Sequence, residues 1–186
     1  GGAGVSGRAP VARSVGQGAA VIVTPVTGPS SARSVVSNVS RPAATVGTCP
    51  DTLFELDPVT EINHCIGTKT ALAMLPAAFI NPGDVTLMTV PGYPVAGTHT
   101  RYYGGSVFRL PLLAQNNFFP DFSQVSPDVW ERTKLLVINY PNSPTGKTAT
   151  REFYDKVIAL AKQHEFVVVL DAAHAGVARA RELCHE

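Results

Sequence analysis

The pentapeptide Phe166-Val167-Val168-Val169-Leu170 is apolar at every position, and Asp171 follows it directly. A short run that is apolar on both sides of the pleat is the mark of a strand covered on both faces of a sheet. Three further stretches, 85–90, 106–112 and 135–139, read as strands. Helical segments fall between them. Residues 68–80 carry Leu72, Leu75 and Phe79 at i, i+3 and i+7, with Pro76 inside, which is expected to kink or shorten the helix. Asn81-Pro82-Gly83-Asp84 is a turn. After Pro91-Gly92-Tyr93-Pro94 a short helix runs to Tyr103, where Gly104-Gly105 stops it. Ser126-Pro127-Asp128 supplies an N-cap, a proline at the first helical position and an acid in the first turn. Thr150 caps a helix from Arg151 to about His164, with Phe153, Val157, Leu160 and Ala161 on its apolar face. Strands alternating with helices predict an α/β protein with a mostly parallel sheet and helices on both faces.

That pattern begins only near residue 51. Residues 1–50 contain no Asp, Glu, Lys, His, Leu, Met or aromatic residue, and their charges are Arg8, Arg13, Arg33 and Arg41. The remainder carries 11 basic and 14 acidic residues, a net −3. The first segment reads as disordered or as an out-of-frame translation; an organelle transit peptide, rich in Arg and Ser and poor in acids, is the third option. Only 21–23 is densely apolar, and Pro25 follows closely. There is no N-terminal Met and no apolar core of a secretory signal.

The charge balance of the whole chain, +1, gives no case for binding nucleic acid or an anionic membrane. No apolar run approaches the ~20 residues that span a bilayer. Cys49, Cys65 and Cys184 are far apart and form no C-x-x-C, so neither a disulfide scaffold nor a metal site is expected. A reducing intracellular setting is the default: cytoplasm, or plastid if residues 1–50 are a transit peptide.

Ligands of open α/β sheets sit at the carboxyl ends of the strands. Three features fall there. Gly67-Thr68-Lys69 opens a helix, whose free N–H groups suit a phosphate, although read alone an ordinary Thr N-cap is the better reading. Asn139-Tyr140-Pro141-Asn142-Ser143-Pro144-Thr145-Gly146 follows the third strand as a rigid turn that can hold the Asn142 amide at the strand end. Asp171 ends a buried strand, where a carboxylate needs a partner: a cofactor, a local cap or a salt bridge. Gly146-Lys147-Thr148 mimics the end of a P-loop, but the position that must be Gly is Pro141, and Pro141 and Pro144 lack the N–H donors that cradle phosphate.

Together these residues resemble the pyridoxal 5'-phosphate (PLP) aminotransferases of class I/II, fold-type I. Residues 139–146 are similar to that family's N-x-P-x-x-P-T-G signature. Asp57-Pro58-Val59-Thr60-Glu61-Ile62-Asn63, Ile66-Gly67-Thr68-Lys69-Thr70-Ala71-Leu72-Ala73, Val90-Pro91-Gly92-Tyr93-Pro94-Val95-Ala96-Gly97-Thr98 and Thr150-Arg151-Glu152-Phe153-Tyr154 resemble the LL-diaminopimelate aminotransferases within it. The likeness covers residues 57–175 and implies part of the large PLP-binding domain, with 51–175 as the partial domain and 176–186 as a tail unlike the family. Thr68 and Lys69 match the phosphate-binding pair, Tyr93 the residue that stacks on the pyridine ring, Asn142 the amide bonded to the ring hydroxyl, and Asp171 the partner of the pyridine nitrogen. Lys69, Tyr93 and Asn142 are also implied in substrate binding. His174 stands where the family usually has a tyrosine that reaches the ring hydroxyl; a neutral imidazole N–H can donate the same bond, and a surface histidine without contact is the alternative.

The implied reaction exchanges an amino group between LL-2,6-diaminopimelate and 2-oxoglutarate, in lysine synthesis, by a family of homodimers acting on small amino and 2-oxo acids. An aminotransferase for aspartate, alanine or aromatic substrates, or a non-catalytic PLP-binding fragment, remains open. The family's Schiff-base lysine lies some thirty residues beyond the aspartate, whereas this chain ends at Glu186, and Lys69, Lys134, Lys147, Lys156 and Lys162 lie in no such motif. No catalytic residue is therefore assigned, and weak PLP binding without turnover is expected. The sheet is expected to be incomplete, with open edges prone to aggregation.

Overall fold

The computed structural model describes residues 20–24, 34–37, 62–64 and 68–173. In chain order the elements are β1 (Ala20–Thr24), β2 (Ser34–Ser37), β3 (Ile62–His64), α1 (Thr68–Phe79), β4 (Val85–Val90), α2 (Val95–Tyr102), β5 (Ser106–Pro111), α3 (Pro127–Arg132), β6 (Thr133–Asn139), α4 (Arg151–His164) and β7 (Val167–Asp171). The strands form one sheet in the order β3-β2-β1-β7-β6-β4-β5. Strands β7, β6, β4 and β5 run parallel. Strand β1 is antiparallel to both β7 and β2, and β2 is parallel to β3. Two stretches of the segment 1–50 are thus strands; the rest of it, and everything from residue 174, lies outside the described residues.

The expected α/β architecture is present, with both faces of the parallel strands covered. Side chains alternate across a strand. Leu136, Ile138 and Val168 pack to one side with Phe153, Val157 and Ala161 of α4 and Trp130 of α3. Leu135, Val137 and Val169 pack to the other with Ala71 and Leu72 of α1 and Ala96 of α2. The unbroken apolar run in β7 follows from this two-sided burial.

Local chemistry sets the helix ends. Thr150 accepts a hydrogen bond from the Phe153 N–H at 3.3 Å, and α4 ends at Glu165, left-handed with φ 54°. Ser126 precedes α3 in extended conformation, but its hydroxyl makes no capping bond; Pro127 at the first position is what the sequence supplies instead. Helix α1 does not stop at Pro76. It runs on to Phe79, with Pro76 buried and its carbonyl accepting from the Ile80 N–H at 2.9 Å. Packing on the sheet therefore outweighs the single bond that the proline cannot donate.

Two substitutions test this arrangement. Leu136 is fully buried at the centre of the parallel strands, so Leu136→Ala is expected to destabilise the fold by about 2–5 kcal/mol in urea unfolding. A Cβ on Gly105 would lie 2.6 Å from Ile80 Cγ2, 2.9 Å from Thr100 Cγ2 and 3.1 Å from the Asp84 carbonyl oxygen. That oxygen already accepts from the Ser106 N–H at 2.8 Å, and Ile80 and Thr100 are buried. Gly105→Ala should therefore lower stability by about 1–3 kcal/mol, read as a lower midpoint at unchanged slope.

Candidate functional site

The alternation that buries Val137 and Val169 against α1 carries two polar residues onto the same face at the carboxyl ends of their strands. Asn139 is two residues beyond Val137, Asp171 is two beyond Val169, and the two are register partners. Both are buried. Together with Tyr93 they line a crevice closed by Leu72 of α1, Met88 of β4 and Val137 of β6. Its room is about 10 Å³, roughly what one water molecule needs.

The Asp171 carboxylate accepts the Ala173 N–H at 3.1 Å. A carboxylate this deeply buried is costly unless hydrogen-bonded or paired. Tyr93 lies on the loop between β4 and α2 and is 42% exposed. It lines the crevice that Asp171 also lines.

Lys69 is exposed in the first turn of α1, where backbone N–H groups point outward, and Thr68 beside it is half-buried. Lys69, Pro94, Val95, Thr98 and His99 line an open groove of about 320 Å³ between α1 and α2. It shares no lining residue with the crevice, although Pro94 adjoins Tyr93 in sequence. Gly67 and His174 lie outside the described residues.

Asn142 lines neither opening. It is buried, and its amide joins two loops. Nδ2 donates to the Pro91 carbonyl at 3.1 Å, and Oδ1 accepts from the Thr145 hydroxyl at 2.7 Å. The Asn142 backbone N–H donates to Lys147 O at 2.8 Å. One Nδ2 hydrogen remains for a ligand. The residue that sequence reasoning left without a role is Asn139. Its place as the last residue of a buried strand, directly before the Pro-rich turn, was the available signal.

Lys147, the P-loop mimic, is engaged elsewhere. Its Nζ donates to Asn117 Oδ1 at 2.9 Å and lies 5.1 Å from the Phe119 ring centroid. Among the described residues no group of three or more His, Cys, Asp or Glu could hold a metal, and no helix is long and apolar enough to cross a membrane.

A buried carboxylate, an exposed tyrosine and a lysine in the first turn of a helix are residues of the kinds that PLP chemistry uses, although the crevice itself has room for about one water. Similarity to known proteins agrees. The chain is 55% identical over 120 residues to the LL-diaminopimelate aminotransferase of Methanocaldococcus jannaschii, covering 64% of this chain and 29% of that protein. It is 54% identical over 123 residues to that of Methanococcus maripaludis, covering 66% and 30%. The chain thus spans less than a third of the length of these relatives. Among solved structures, apo-BacF from Bacillus subtilis matches with a TM-score of 0.52 and 39% identity, over 54% of this chain and 25% of that one. A single mutant of Thermus thermophilus aspartate aminotransferase matches with a TM-score of 0.50 and 34% identity, over 54% and 26%. The profile described as aminotransferase class I and II matches residues 42–184. With most of its length inside that match, the chain belongs to the aminotransferase class I and II family, whose members depend on PLP.

Proposed function

We propose that this chain supplies the PLP-binding layer of a transaminase that exchanges an amino group between LL-2,6-diaminopimelate and 2-oxoglutarate, in lysine synthesis. The observation that carries the cofactor part is the buried Asp171 carboxylate at the end of β7, lining one crevice with the exposed Tyr93. The substrate part is supported by the identity of 54–55% to two LL-diaminopimelate aminotransferases. A reading as an aspartate-type transaminase draws support from the Thermus thermophilus likeness, at the lower identity of 34%.

When bound, the cofactor supplies an electron-withdrawing ring that stabilises the negative charge left on an amino acid's α-carbon as its proton departs. In this reading Asp171 keeps the proton on the pyridine nitrogen, because a negative charge beside it favours the charged form. Tyr93 packs on the ring and fixes its plane. Lys69 and Thr68, with the N–H groups of the first turn of α1, would hold the phosphate. The remaining amide hydrogen of Asn142 is available to the ring hydroxyl, and the bonds from Asn142 to Pro91 and Thr145 hold that amide still. Lys69, Tyr93 and Asn142 border the side from which the amino and 2-oxo acids approach. His174, by its place in the family pattern, would supply a further donor to the ring hydroxyl. A homodimer in the cytoplasm completes the proposal.

Titration of the purified chain with PLP, followed by absorbance, tests the cofactor part. Saturable binding is expected. Lys69→Ala and Asp171→Ala are each expected to weaken it about tenfold, the size of a lost charge-assisted contact. Binding equal in wild type and both variants would sink the assignment. Calorimetry on the PLP-loaded chain tests the substrate: LL-2,6-diaminopimelate should bind more tightly than aspartate, alanine or phenylalanine. A preference for aspartate would transfer the chain to the aspartate-type reading.

A further inference from the structure

Asn139 lies in the last position of β6 with both ends of its amide committed. Nδ2 donates to the backbone carbonyl of Asp171 at 2.8 Å. Oδ1 accepts from the Ser143 N–H at 2.8 Å. The side chain is buried and lines the crevice beside Asp171 and Tyr93. One amide thus links the end of β7 to the turn after β6. That turn is in turn tied by Asn142 to Pro91, two residues before Tyr93. Asp171, Asn139, Ser143, Asn142 and Pro91 form a continuous chain of hydrogen bonds and adjacent residues from the buried carboxylate to the Tyr93 loop.

Beyond Asn139 and Asp171 the ladder between β6 and β7 has no further register pair. On its other side Asp171 is in register with Val21 of β1. The Asn139 amide adds a side-chain bond to the Asp171 carbonyl where the β6–β7 ladder ends. An asparagine amide offers a donor and an acceptor on separate atoms, both used here; an ionised aspartate keeps only acceptors, and alanine has neither.

We infer that Asn139 is a positioning residue, which braces the end of β7 that carries the Asp171 carboxylate against the turn tied to the Tyr93 loop. This rests on the PLP reading above, but its test does not depend on PLP binding alone. Two readouts use the ligand-free 186-residue chain: the side-chain carboxyl 13C resonance of Asp171, and hydrogen exchange at the Ser143 N–H. In Asn139→Ala the Asp171 resonance should move and Ser143 exchange should accelerate about tenfold, as its acceptor is gone. In Asn139→Asp, which keeps the acceptor, Ser143 should stay protected while the Asp171 resonance still moves. Far-UV circular dichroism checks that both variants fold, and Leu136→Val serves as a control for general loosening of the strand.

With PLP added, both variants should bind about tenfold more weakly than wild type and shift the absorption band of the bound cofactor. An Asp171 resonance and a bound-cofactor spectrum unchanged in both variants would overturn the inference and leave Asn139 a plain strand-end brace. If wild type binds no PLP, the cofactor reading fails, and the Asp171 and Ser143 signals alone decide whether Asn139 sets the geometry. If the variants do not fold, Asn139→Gln, which keeps the amide but lengthens its reach, takes their place, and an unmoved Asp171 resonance there counts against the inference.

Discussion

The parallel pairing of β6 with β7 governs the rest of the molecule. Its register places Leu136 beside Val168, Val137 beside Val169 and Asn139 beside Asp171. A slip of one residue would turn every side chain of one strand to the opposite face. Val169 would leave the α1 layer, and Asp171 would face the α4 layer among Phe153 and Val157. The apolar pattern on both faces forbids this, so the hydrophobic core and the polar strand ends are specified by the same constraint. Site geometry here is a by-product of packing.

The strand ends differ in how they use that constraint. At β7 the polar residue is ionisable and reaches a crevice; at β6 it is neutral and closes hydrogen bonds. An asparagine can satisfy a strand end by itself, whereas a buried carboxylate calls for positive charge or several N–H donors. The pair therefore divides the work between holding the framework and presenting charge. Helix α1 lies over both through Leu72, which brings its N-terminal turn to the same end of the sheet.

Much of this was legible in the sequence. The turn at 81–84, the strand at 85–90 and the capped helix from Arg151 to His164 appear where periodicity and end signals put them. Asp171 was found because a charge after five apolar residues is conspicuous. Other points were hidden. Pro76 has a strong local meaning, yet tertiary packing of α1 overrides it. Ser126 has the right identity for a cap, but its hydroxyl bond depends on a rotamer that sequence does not report. The turn motif marks the Asn142 amide, while its bond to Pro91, 51 residues away, is not legible there. Asn139 carried no periodic signal, since its role arises only when two strands lie in register. The strands β1, β2 and β3 are short and join the sheet through backbone pairing, which composition does not reveal.

Trp130 is the only tryptophan, and its indole stacks with the rings of His164 and Phe166 at centroid distances of 4.5 and 5.7 Å. It belongs wholly to the layer that faces α3 and α4, whereas the crevice belongs to the layer under α1. Its emission thus watches one side of the sheet, and any chromophore held near Tyr93 watches the other. A single sample followed at two wavelengths would show whether the two sides of the sheet come apart together or in sequence, a form of optical stratigraphy that the sequence provides without a label.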